Sequence, residues 1–159
     1  MIKIRGLVDE DFVNYKKPAM FIAFPYCTFK CDVECGYSVC QNSSLVENTN
    51  IINIDEQIII DRYIKNPITH SIVISGLEPF DSFNELVILI RSFREKTSDD
   101  IVIYSGYNKE EITSYIEELK QFKNIIIKFG RFIPNQEKHY DEVLQVTLAS
   151  PNQYGEKIS

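Results

Sequence analysis

The chain has no cysteine outside residues 27–40, only two histidines and two methionines, and no apolar run near the ~20 residues a membrane helix needs. No spanning helix is therefore expected. The two histidines, His70 and His139, share no ligand spacing with each other and read as structural or solvated. Basic residues are also short: 17 Lys and Arg stand against 23 Asp and Glu, a net charge of −6. Nothing supplies a phosphate-neutralising stripe, which argues against a general nucleic-acid binder. Internal repeats, low-complexity tracts and linkers are missing, so residues 1–159 are expected to form a single domain. The opening Met1-Ile2-Lys3-Ile4-Arg5-Gly6 is not a signal peptide, and the expected compartment is cytoplasmic, where thiols stay reduced. Clustered cysteines there point to metal ligands or redox groups before structural disulfides.

What is present is a nineteen-residue stretch, Phe24–Asn42, that holds all four cysteines: Cys27, Cys31, Cys35 and Cys40. The apolar run Ala19–Phe24 behind Pro18 reads as a buried strand over Met20–Phe24 feeding this loop. Residues 1–18 suggest an edge strand and a loop, and 45–54 read as irregular. Asp55 is expected to cap a helix to about Asn66, with Ile58, Ile59, Tyr63 and the stem of Arg62 inward. Ser71–Ser75 is a β-branched strand ending in the turn Gly76–Phe80. Asp81 or Ser82 then caps a helix burying Leu86, Ile88, Leu89, Ile90 and Phe93. Ile101–Tyr104 is a third strand, Lys109–Phe122 a helix with Ile112, Tyr115, Ile116 and Leu119 on one face, and Asn124–Lys128 a fourth strand. One more strand is expected at Val143–Leu148. Strands alternating with amphipathic helices mean α/β class, with a mainly parallel sheet. Chemistry in such sheets gathers at the strands' carboxyl ends: here the cysteine loop, Gly76-Leu77-Glu78-Pro79, Ser105-Gly106-Tyr107 and Gly130-Arg131.

Three metal or redox readings of the cysteines compete. Zinc favours paired knuckles separated by a longer insert, whereas the spacings here are x3, x3 and x4. A redox dithiol would favour C-x-x-C, which is absent. Thiolates at short, irregular spacings in one loop suit an iron–sulfur cluster.

Cys27-Thr28-Phe29-Lys30-Cys31 resembles the C-x3-C that opens the C-x3-C-x2-C motif of radical S-adenosylmethionine (SAM) enzymes, and Ser75-Gly76-Leu77-Glu78-Pro79 resembles their S-G-G-E-P turn. Ile103–Tyr107 with Glu110-Glu111, Phe129–Ile133, and Leu148–Gln153 are similar to segments of the anaerobic ribonucleotide reductase activating proteins, which are glycyl-radical activases. The resemblance runs from about residue 19 to residue 153. Two positions depart from the pattern. Glu34 stands where the third cysteine belongs, leaving Cys35 or Cys40 as the third ligand. Cys40-Gln41-Asn42 resembles the family's C-x-N and favours Cys40, so that Asp32–Val39 contains an insertion carrying Cys35. Leu77 replaces the second glycine of the turn.

The resemblance implies a radical SAM-like fold, a partial (βα) barrel, with a 4Fe-4S cluster on Cys27, Cys31 and Cys40, and SAM on the remaining iron. It implies cofactor contacts from Tyr26, Phe29, Ser75, Gly76, Glu78, Tyr104 and Ser105, with no catalytic side chain beyond the cluster and SAM site. Tyr26 and Phe29 would shield the cluster, Glu78 would accept from the SAM amino group, and Asn152-Gln153 would close the site. The implied partners are an anaerobic ribonucleotide reductase, as recipient of a glycyl radical, and an electron donor such as flavodoxin or ferredoxin. Blander roles stand beside these. Glu78 could favourably charge a helix start, Tyr104 and Tyr107 could be rim aromatics, Arg131 could pair a surface acid, and Glu110-Glu111 could face solvent. Other functional classes are a radical SAM enzyme acting on another peptide or small molecule, and a cluster- or zinc-binding interaction domain without catalysis.

Overall fold

The computed structural model describes residues 1–40 and 42–159. In chain order the elements are β1 (Ile2–Ile4), β2 (Gly6–Asp11), β3 (Ala19–Phe24), α1 (Lys30–Cys35), α2 (Ser43–Asn48), β4 (Ile52–Ile54), α3 (Glu56–Lys65), β5 (Ser71–Gly76), α4 (Phe83–Arg94), β6 (Asp100–Tyr104), α5 (Thr113–Leu119), β7 (Ile125–Phe129), β8 (His139–Asp141), β9 (Val146–Leu148) and β10 (Tyr154–Lys157). The central sheet runs β10-β7-β6-β5-β3-β2. Its four inner strands are parallel, while β2 and β10 close the two edges antiparallel. The sheet is open and forms no closed barrel among the described residues.

Strand alternation explains why both faces are apolar. Ile72, Ile74, Ile101, Ile103, Ile125 and Ile127 point to one face, where Ile59, Leu86, Leu89, Phe93 and Ile116 of the helices complete a core. Val73, Val102 and Ile126 point to the other, under Tyr15, Leu144 and Leu148. At the carboxyl ends of β5, β6 and β7 this second face turns polar, with Ser75, Tyr104 and Lys128 continuing the Val73, Val102 and Ile126 rows. Between these strands and the cysteine loop a cavity opens.

Several sequence expectations are corrected. Ile58 is exposed, because α3 turns Ile59, Ile60 and Tyr63 inward, and the Tyr63 ring meets Phe93 edge-on at 5.5 Å. Three successive isoleucines leave the helix phase open, and Tyr63, at i+3 and i+4 from the last two, sets it. Arg62 reaches outward to Asp9. Ile88 and Tyr115 are also exposed, although Tyr115 stacks on Phe83 at 4.1 Å. The helix expected over 109–122 is a 3-10 turn at Lys109–Glu111 followed by α5, since Asn108 and Glu111 form a capping box that closes the first turn on itself. Residues 45–54 are not irregular: α2 is followed by β4, which pairs with β1. The strand expected at Val143–Leu148 begins only at Val146, in a hairpin with β8, and β10 was not foreseen.

Gly76 sits at φ +84°, and a Cβ there would lie 2.7 Å from the Ala23 Cα on β3. Its glycine is therefore demanded by the neighbouring strand as well as by the turn. Gly76→Ala is expected to cost about 2–5 kcal/mol in chemical denaturation, from left-handed strain plus overpacking. Gly6→Ala, with open space around its Cβ position, should change stability by less than about 0.5 kcal/mol.

Candidate metal centre

Parallel register brings four strand ends together. Phe24 pairs with Gly76, Ile74 with Ile103, and Tyr104 with Lys128. The segments that follow these strands therefore meet around a cavity of about 410 Å³. Cys27, Cys31, Cys40, Glu78, Ser105 and Lys128 line it together, whereas Cys35 does not.

Local geometry in the cysteine loop brings the three thiols to that wall. Phe29 takes a left-handed conformation, φ 54°, which starts α1 and turns its N–H to donate to Cys27 Sγ at 3.1 Å. Cys31 stands on the first turn of α1. Gly36 at φ 76° ends the helix and reverses the chain. Asp32 Oδ1 then accepts from the Val39 and Cys40 N–H groups at 2.6 and 2.8 Å, returning Cys40 towards Cys31. Asp81 holds the entrance: it accepts from Thr28 N–H at 3.0 Å and from the Tyr107 hydroxyl at 2.6 Å.

The donor set facing the cavity is made of thiols, the ligands an iron–sulfur cluster takes. Among the described residues no three His, Cys, Asp or Glu side chains converge closely enough to hold one metal ion. Three thiols nevertheless open onto one cavity. A cuboidal cluster carries its irons on separate corners, so its thiolates stand farther apart than the ligands of a tetrahedral zinc ion. The donors present fit the cluster. Burial pushes the Cys27 thiol up to about 12 and raises Cys31 as well. Coordination overrides such a shift, because a metal-bound thiol is deprotonated outright. The Cys27 sulfur already accepts the Phe29 N–H, one of the contacts by which a protein tunes a cluster's potential.

Beside the thiols lie two buried charges of opposite sign. Glu78 is 6% exposed. Its Oε1 accepts from Phe80 N–H at 3.1 Å and its Oε2 from Gly106 N–H at 2.8 Å. Burial pushes its carboxyl up to about 7 despite these bonds and a contact from the Ser105 hydroxyl. The bland role is thus realised too, since Glu78 caps the 3-10 turn Pro79–Ser82. Lys128 is 7% exposed, and burial brings its amine down to about 8, with Glu78 and Cys31 pulling it upward. Its ammonium donates to Gly130 O at 3.1 Å, one acceptor for three donors among the described residues.

The remaining residues frame this wall. Ser75, Gly76, Tyr104 and Ser105 line the cavity, as does Leu77. The Tyr104 hydroxyl donates to Asn14 O, and Ser105 Oγ accepts from Tyr107 N–H, so both side chains are partly committed. Tyr26 and Phe29 are not among the lining residues; Tyr26 is exposed and its carbonyl accepts from Glu78 N–H at 2.7 Å. Gln153 forms part of the wall, held by Ala149 and Ser150 N–H groups on its Oε1, while Asn152 donates to Arg131 O. Arg131 pairs with Glu111 through two bonds of 2.7 Å, and its Nε lies 3.1 Å from Glu34 on α1. Glu111 is thus held rather than solvated, and the Arg131 guanidinium lowers its carboxyl to about 2. Sequence reasoning missed Lys128, Gly106 and Asp32; a lysine closing the apolar run Ile125-Ile126-Ile127 is the signal that could have found the first.

The model of the family described as a 4Fe-4S single cluster domain matches residues 20–153. No curated protein matches the chain.

The raised carboxyl of Glu78 means the native state holds this proton more tightly than the unfolded chain. Its stability contribution is then greatest below about 4.5 and is lost as pH rises through about 7. Relative to Glu78→Gln, the apoprotein should lose up to about 3 kcal/mol across that interval in denaturant titrations at stepped pH. A difference that stays flat would mean the carboxylate is already charged at the acid end.

Proposed function

The chain belongs to the 4Fe-4S single cluster domain family, and from that premise we propose that it is a radical SAM enzyme of the glycyl-radical activating type. One observation carries this reading: three thiols, a buried carboxylate and a buried ammonium face the same cavity. Three thiolates satisfy three corners of a cuboidal cluster and leave the fourth iron open. The adjacent charges, one of each sign, complement the amino and carboxylate groups of an amino-acid ligand, and methionine is the amino-acid part of SAM.

Cys27, Cys31 and Cys40 would hold the cluster, with Cys35 outside the ligand set. Glu78 would accept from the ligand's amino group through lone pairs not used by Phe80 and Gly106, a charge-assisted contact. Lys128 would use its uncommitted donors on the ligand's carboxylate. Ser75 and the Ser105 hydroxyl border the same space, and Gln153 limits it from the C-terminal side. Leu77 adds an apolar side chain where the resembled turn has glycine. A cluster held there would supply, once reduced by the electron donor, the electron for reductive cleavage of SAM to methionine and a 5′-deoxyadenosyl radical. The chain's own residues bind, aim and exclude water.

The proposed recipient of the radical chemistry is a backbone glycine of an anaerobic ribonucleotide reductase. A loop of the partner would complete the mouth of the cavity. A flavodoxin or ferredoxin would supply electrons, and the cytoplasm is the proposed compartment. No helix among the described residues is long and apolar enough to cross a membrane.

Anaerobically reconstituted protein should bind SAM and release 5′-deoxyadenosine on reduction with dithionite. Glu78→Ala and Lys128→Met should each weaken SAM binding by roughly tenfold or more in equilibrium titration, the range expected for a lost hydrogen bond to a charged group. An iron-loaded protein with no affinity for SAM would leave a cluster-binding domain without this catalysis. Mixing with the reductase should produce a glycyl-radical signal and oxygen-dependent cleavage of the reductase chain; neither appearing would move the substrate to another peptide or small molecule.

A further inference from the structure

The segment Asp32–Val39, which contains the insertion, separates Cys31 from Cys40 by eight residues, so a third thiol at Cys40 must be brought back to the first two. An unconstrained excursion of this length would leave Cys40 sampling many positions, with an entropic cost at the moment of ligation. Asp32 removes that freedom. It lies one residue after Cys31 on α1, and one oxygen of its carboxylate accepts from both Val39 N–H, at 2.6 Å, and Cys40 N–H, at 2.8 Å. Gly36 at φ 76°, whose N–H donates to Asp32 O at 2.9 Å, makes the reversal that lets both N–H groups reach that oxygen. One residue thus grips both ends of the segment, by its main chain at the helix exit and its side chain at the return.

We propose that Asp32 is a positioning residue for the iron–sulfur centre, holding the backbone of Cys40 so that its thiol stands in the cavity beside Cys27 and Cys31. Cys35 is carried away on the far part of the same helix and stays outside the cavity lining. The side chain itself touches no iron; it acts through the Cys40 main chain. This inference rests on the cluster reading above and adds the device that makes a C-x3-C-x8-C arrangement workable. Because both N–H groups bond to one oxygen, the function requires an acceptor and not a charge. Asparagine can supply that acceptor; alanine cannot.

The test compares wild type, Asp32→Ala, Asp32→Asn, Cys35→Ala and Cys40→Ala as full-length chains, reconstituted anaerobically with iron and sulfide. The readouts are iron per chain, the visible spectrum and retention against a chelator. Asp32→Ala should lose about tenfold in cluster affinity, the low end for residues that orient metal ligands, and Asp32→Asn should retain most of it. Cys40→Ala should lose the cluster and Cys35→Ala should keep it. A second readout needs no cluster: in the reduced apoprotein, iodoacetamide should alkylate Cys40 several-fold faster in Asp32→Ala than in wild type, with Cys27 unchanged, by peptide mapping. Asp32→Ala holding iron and alkylating like wild type would overturn the inference while leaving the cluster reading intact. So would cluster loss in Cys35→Ala but not in Cys40→Ala. Wild-type protein that assembles no cluster would instead overturn the reading on which the inference rests.

Discussion

Glu78 keeps a carboxylate out of water, and the carboxyl end of the sheet is built around its two oxygens. Desolvating a charge costs several kcal/mol unless partners replace the lost water. Here the replacements are two main-chain N–H groups, one at its own turn and one from Gly106 at the end of β6. The carboxylate therefore stitches neighbouring strand ends together. That stitch sets where Gly106 lies, and a Cβ on Gly106 would come 3.8 Å from Cys31 Sγ. Lys128, one strand farther on, is the buried positive charge that offsets Glu78. Burial makes both charges costly in the apoprotein, and under the proposed function a zwitterionic ligand would relieve both.

The sheet supplies the rigid half of this arrangement and the cysteine loop the adaptable half. Four parallel strands buried on both faces fix the positions of Ser75, Tyr104 and Lys128 through ladder hydrogen bonds. The loop between β3 and α2 has no buried residue in either of its short helices. It is held by polar contacts instead: Asp81 at Thr28, Asp32 at Cys40, and the Arg131–Glu34 and Lys30–Glu111 pairs along α1. Such contacts are individually modest.

The four parallel strands are legible in the sequence because each is a short apolar run, β-branched in β5, β6 and β7 and bounded by Pro18 and Pro25 in β3. The convergence of Cys27, Glu78, Ser105 and Gly130 follows from strand order alone. The phase of α3 was harder, since Ile58, Ile59 and Ile60 are equally apolar and only packing against Phe93 selects among them. The edges were hardest. β1, β4 and β10 are short and mixed in polarity, and long-range pairing, not local pattern, makes them strands. Lys128 escaped notice for a related reason: it reads as a polar residue ending a strand, and only the alternation Ile126-Ile127-Lys128 across two buried faces turns it inward. Cys40 and not Cys35 lines the cavity, and the bond its N–H donates to Asp32 is one that spacing does not announce.

The proposed function requires one iron of the cluster, left without a thiolate, to be open to SAM. Electron paramagnetic resonance of the dithionite-reduced, reconstituted protein, recorded with and without SAM, reads this out. A reduced-cluster signal that changes shape and g values when SAM is added is the expected result, and it should be insensitive to Cys35→Ala. A signal identical with and without saturating SAM would contradict the claim, because it would mean that every iron already has its full set of ligands or that SAM does not reach the cluster.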